Sequence, residues 1–130
     1  MEQYKGILSF SGYTELSTIV CDLLSELNKI NNTHFDFIIN KIKLQLIELL
    51  ENLSKGYSRF YKKDKMQSYL YAKDTLCSII SNLYILYKLS VFPKDLYNKY
   101  CDLLNKKYSL FNGLLKKIGN RKEDKIWFMT

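Results

Sequence analysis

The chain has 130 residues, 47% apolar and 25% charged, a balance that suits one globular domain and excludes a disordered chain. One proline and five glycines are too few for an all-β fold, which turns about every ten residues. Twenty Lys and Arg against 13 Asp and Glu leave a net charge of +7, a field that draws polyanions such as RNA, DNA or an acidic protein.

The first apolar period covers 13–29. Leu16, Ile19, Val20, Leu23, Leu24, Leu27 and Ile30 recur at steps of three and one, which places them on one stripe of a helix. Ser11 or Thr14 is expected to cap its start, and Asn31, Asn32 and Thr33 to stop it. The second helix, 34–55, carries Phe35, Ile38, Ile39, Ile42, Leu46, Leu49, Leu50 and Leu53, with Gly56 as its expected stop. A connector, 55–65, leads to a third helix from about Asp64, read as a cap with Gln67 three residues on. Met66, Tyr69, Ala72, Leu76, Ile79, Ile80, Leu83 and Leu86 form its core face to Lys88. Pro93 opens the fourth helix, whose apolar residues are Leu96, Tyr100, Leu103, Leu104, Leu110, Phe111, Leu114 and Ile118, and which ends at Gly119. No alternating strand pattern competes. The expected fold is all-α, an antiparallel up-down-up-down four-helix bundle over 1–119, followed by a basic and then apolar tail over 120–130.

In such a bundle the second connector and the end of the fourth helix share one pole. Lys55, Arg59, Lys62, Lys63 and Lys65 face a single Asp64 in the connector, a net of +4. Lys116, Lys117, Arg121, Lys122 and Lys125 face Glu123 and Asp124, a net of +3, so the two segments together hold the entire charge excess. Clustered cations neutralise neighbouring phosphates and release their counterions. Tyr57, Phe60 and Tyr61 alternate with these cations and are candidates for base stacking. The competing reading is that the aromatics staple the bundle end and that the lysines are a solvated cap offsetting a helix dipole.

Eleven tyrosines exceed what a narrow core accepts. Tyr71, Tyr84, Tyr87, Tyr97 and Tyr108 are assigned to an oligomer or partner interface, against the plainer reading of half-buried flank residues. Catalytic chemistry finds little support. His34 is the lone histidine and is read as a capping or surface residue, and no nucleophile–base set, phosphate loop or metal-ligand spacing is present. The expectation is no enzyme, no metal and no cofactor. Cys21, Cys77 and Cys101 are isolated and are read as small buried hydrophobes in a reducing compartment. With no signal-peptide layout and no apolar run of about 20 residues, a cytoplasmic protein without a membrane partner is expected.

Three segments carry a family resemblance: Lys43-Leu44-Gln45-Leu46-Ile47-Glu48-Leu49, Tyr69-Leu70-Tyr71-Ala72-Lys73-Asp74, and Leu115-Lys116-Lys117-Ile118-Gly119-Asn120-Arg121-Lys122. On these the chain resembles the four-helix-bundle family of proteins encoded in 23S rRNA intervening sequences, and within it the accessory variability (Avd) group of diversity-generating retroelements. The resemblance implies a homopentamer that binds a reverse transcriptase and its template RNA and supports mutagenic cDNA synthesis without catalysing it. Members of that group carry arginines along helix three, whereas here 78–88 has only Lys88 as a basic residue. The alternative expectation is a protein–protein interaction module without specific nucleic-acid binding.

Overall fold

A computed structural model describes residues 6–120. Within them a 3-10 turn, η1 (Gly6–Ser9), precedes five α-helices: α1 (Ser11–Asn28), α2 (Asp36–Ser58), α3 (Lys62–Lys88), α4 (Lys94–Asn105) and α5 (Tyr108–Gly119). The described residues contain no strand, and the fold is an all-α helical bundle. α2 packs most extensively on α3, and α1, α4 and α5 complete the core around that pair.

Side-chain pairs give the registers. Gln45 donates to Ser78 Oγ at 2.7 Å and accepts from Asn82 Nδ2 at 2.9 Å, while Lys65 reaches Gly56, so α2 and α3 run in opposite directions. Lys43 meets Asn28 and Tyr57 meets Phe10, which sets the same relation between α2 and α1. Tyr97 against Tyr87, and Ile118 beside Tyr69, set it between α3 and the α4–α5 arm.

The predicted stripes are the core. Leu16, Val20, Leu23, Leu27, Ile42, Leu46, Leu49, Leu53, Ala72, Leu76, Ile79, Leu83, Leu86, Leu104 and Phe111 are fully enclosed. Each large aliphatic among them contributes about 1.5–3 kcal/mol of transfer free energy, enough to override the modest propensities of the β-branched residues. Ile19, Leu24, Ile38, Leu50 and Ile80 flank this core and are half-buried.

Helix ends depart from expectation. α1 begins after Phe10, and Thr14 turns its hydroxyl back to the Ser11 carbonyl at 3.2 Å, so neither Ser11 nor Thr14 caps. α2 passes through Gly56 to Ser58, and α3 starts at Lys62, which shrinks the connector to 59–61. Asp64 lies in the first turn of α3 and makes no cap hydrogen bond, so it acts only through the helix dipole. Asn32 Oδ1 accepts from the Phe35 amide at 2.9 Å before α2, leaving His34 exposed beside it.

The fourth helix is two. Lys107 N donates to Leu104 O at 2.9 Å, one residue short of the α pattern, and α5 begins at Tyr108. Apolar spacing runs through this joint without interruption (Leu104, Tyr108, Phe111), so the break leaves no mark in the sequence. Two cysteines also differ from expectation. Cys21 and Cys77 are exposed, because each follows a core residue by one position and is turned about 100° from it. Cys101 is buried as expected, and burial raises its thiol pKa although the Tyr97 hydrogen bond opposes the shift. That places it among inert thiols.

Candidate nucleic-acid interface

The basic pole is where the start of α1, the end of α2, the start of α3 and the end of α5 come together. Phe10 stacks on Tyr57, ring centroids 5.2 Å apart and 14° from parallel. Tyr69, 3% exposed, rests against α2 at Gly56, where an added Cβ would overlap its ring. The glycine is therefore a notch in the middle of a helical turn, and its missing side chain is what admits the tyrosine. Burial, with Tyr57 adding to it, pushes the Tyr69 hydroxyl up to about 12, so it remains a protonated donor at neutral pH.

Lys65 donates to the carbonyl oxygens of Gly56 and Tyr57 at 2.8 and 3.0 Å. These belong to the last turn of α2, whose carbonyls have no partner within the helix. A lysine from the next helix thus closes the end of α2 and holds Tyr57 in place. Between these rings and the last turns of α5 lies a cleft of about 360 Å³, lined by Phe10, Tyr57, Lys65, Tyr69, Leu114, Lys117 and Ile118. Residues more than 50 positions apart, Lys65 and Lys117, share its rim.

The remaining sequence candidates divide into groups. Arg59, Lys63, Lys116 and Lys117 are exposed around this pole. Lys55 is exposed on the opposite side of α2 and lines a different groove of about 390 Å³ with Tyr13, Ile47, Leu50, Glu51 and Ser54. Lys62 departs from the sequence expectation of a surface cation: at 1% exposure its side chain is enclosed, so it is not among the exposed cations of the pole. Arg121 and Lys122 lie outside the described residues.

Of the stacking candidates, Phe60 and Tyr61 are 75% and 67% exposed and pack edge to face, ring centroids 5.2 Å apart. Tyr57 is 38% exposed and has Phe10 against one face. Tyr69, Leu114 and Ile118 read in the sequence only as core positions, and Phe10 precedes the first apolar period, so none of the four reads there as a site residue. No single sequence spells out the Gly56–Tyr69 fit that would have signalled otherwise.

The tyrosines assigned to an interface do not form one face. Tyr84, Tyr87 and Tyr97 cluster at the opposite pole, with Tyr87 and Tyr97 stacked at 4.8 Å and Tyr84 tilted against both. Tyr108 is half-buried beside Cys77, and burial followed by that hydrogen bond raises its hydroxyl to about 12. Tyr71 is exposed and stands apart from the cluster. A set of exposed apolar side chains that the sequence reading passed over, Phe37, Leu44 and Ile47, lies on the outer side of α2.

Among the described residues no three His, Cys, Asp or Glu side chains are grouped to hold a metal, and no helix is long and apolar enough to cross a membrane. The chain matches no protein-family model, no curated protein and no solved structure.

Proposed function

We propose that this chain is a non-catalytic RNA-binding bundle that holds phosphates at its basic pole. One observation carries the reading: Lys65 and Lys117, from two distant segments, line one cleft, and exposed cations neighbour each of them in the chain, Arg59 and Lys63 in one segment and Lys116 in the other. Exposed aromatic rings, Phe60 and Tyr61, lie on the same connector and add stacking surface to charge. Lysines in the last turns of α2 and α5 also offset helix dipoles, which accounts for about 0.3–1 kcal/mol each. That role covers Lys55, Lys116 and Lys117 and also Arg59, the residue that follows the last turn of α2, whereas Lys63 lies in the first turn of α3, where the dipole asks for no positive charge. In the setting implied by the family resemblance, the bundle is a cytoplasmic homopentamer that brings template RNA to a reverse transcriptase.

The test is titration of a structured RNA over rising salt. Affinity falls with a log–log slope of about 0.7–0.9 per phosphate contact, and the quadruple charge reversal of Arg59, Lys63, Lys116 and Lys117 to Glu flattens that slope by about three. Affinity indifferent to both salt and charge reversal overturns the reading.

A second reading, a protein-only interaction module, is favoured by the exposed Phe37, Leu44 and Ile47 and by the Tyr84–Tyr87–Tyr97 cluster. It expects no salt-dependent RNA affinity, and loss of self-association or partner capture on Leu44→Lys.

A further inference from the structure

The basic pole holds a cleft as well as a charged surface, and the two make different demands on a ligand. A flat array of cations accepts any phosphate backbone, duplex or single strand. The cleft is concave and mostly apolar, walled by Tyr57 and Tyr69 on one side and Leu114 and Ile118 on the other, with Lys117 at its rim. Its volume of about 360 Å³ is at the small end of ligand pockets, room for one planar ring system and far less than a helix needs. The walls are held rigidly: Gly56 admits the Tyr69 ring, Phe10 backs Tyr57, and Lys65 ties down the turn that carries Tyr57.

We propose that the cleft receives one unpaired nucleobase of the bound RNA, with Tyr57 and Tyr69 against the base and the Lys117 ammonium on its adjoining phosphate. This rests on the RNA reading above and adds a selectivity to it. A base held in a duplex is stacked on both faces and cannot enter a pocket without being extruded, whereas a base in a loop or bulge enters at little cost. Charge complementarity at the rim distinguishes this occupant from a neutral apolar one. Tyr69 lines the cleft, and its phenol, protonated at neutral pH like that of any tyrosine, can donate to a base edge as it could not to an aliphatic chain. Phe60 and Tyr61, exposed on the neighbouring connector, continue the stacking surface for the next base.

The experiment uses the full chain with a 12-nucleotide single-stranded RNA carrying one 2-aminopurine, and the same strand in a perfect duplex. The single strand is expected to bind about tenfold more tightly than the duplex, with a change in 2-aminopurine emission. Leu114→Phe, which fills the cleft and leaves every cation in place, abolishes that preference and leaves duplex affinity within about twofold. The exposed Lys117→Ala weakens the single strand more than the duplex. On the unaltered protein, 4-thiouridine at the unpaired position crosslinks to the peptides containing Tyr57 or Tyr69, so the result does not depend on Leu114→Phe folding. Equal affinity for both RNAs, or crosslinks confined to Phe60 and Tyr61, overturns the cleft assignment while leaving phosphate binding standing. Absence of binding to either RNA removes both.

Discussion

At the basic pole, α2 ends on a side chain: Lys65 crosses from the next helix to the carbonyls of Gly56 and Tyr57, and the connector that follows is three residues long. At the opposite pole, α3 ends on its own backbone. Ser90 adopts a φ of 62°, its amide donates to Tyr87 O at 3.0 Å, and the Val91 amide donates to Leu86 O at 2.9 Å, which together form a Schellman closure. The aromatic rings follow suit. Tyr69 is enclosed at the first pole, whereas Tyr84, Tyr87 and Tyr97 lean on one another at the second with part of their surface in water. Closure by lysine places a cation at the edge of a cleft, whereas closure by backbone needs no charged group, and Lys88, Lys94 and Asp95 around that turn stay exposed. The same structural problem, ending a long helix beside its antiparallel neighbour, is therefore solved by a side chain at one pole and by the backbone at the other.

This contrast breaks most sharply on the tyrosines. Tyr69→Ala should cost about 3 kcal/mol in urea unfolding because it empties an enclosed site, while Tyr97→Ala should cost about 1 kcal/mol because its ring is only half-buried. Equal losses would mean that the two poles pack alike.

Alkaline titration tests the burial of Tyr69 in a second way, alongside Tyr108. The hydroxyls of Tyr69 and Tyr108 are raised to about 12 in the fold, against about 10 for an unfolded tyrosine. The unfolded chain then releases these protons first, so their contribution to stability is complete below pH 10 and is lost as pH rises from about 10 to 12. Phenolate absorbance should show these two as the last tyrosines to ionise, and Tyr69→Phe should flatten the stability profile over that window.

Gly56→Val should destabilise by about 2 kcal/mol, since its side chain meets the Tyr69 ring, and should cost little further in a Tyr69→Ala background, so that the two losses do not add. The smallest effects compare the two closures directly. Lys65→Met should lose about 1 kcal/mol by leaving α2 carbonyls without their donor. Ser90→Gly should gain about 0.5–1 kcal/mol, because glycine adopts positive φ without strain. Both are read from thermal or urea midpoints.

Much of the fold was legible because a helix repeats every 3.6 residues and its buried side chains must follow. Leu16 to Leu27, Ile39 to Leu53 and Leu76 to Leu86 need no partner to declare their faces. Helix ends were harder to read. Gly56 looks like a stop, yet the helix continues through it because Tyr69 fills the space and Lys65 satisfies the carbonyls. Asp64 looks like a cap, yet the helix starts two residues earlier. The joint at Lys106 and Lys107 is invisible because apolar spacing continues across it. Lys62 looks like one more surface cation in a basic run, and only the folded chain reveals that it is enclosed.

The sequence by itself determined the class of the fold, the helix faces and the segregation of positive charge into two segments. These follow from local periodicity and from composition, which require no knowledge of what packs against what. Tertiary structure decided that Lys65 and Lys117 border one cleft, that Lys62 is buried while Arg59 and Lys63 are not, and that Tyr69 rather than Tyr61 forms the cleft wall. Each of those outcomes depends on contacts between residues far apart in the chain. A notch at Gly56 has meaning only once the ring that fills it has been brought there by the antiparallel register of α2 and α3.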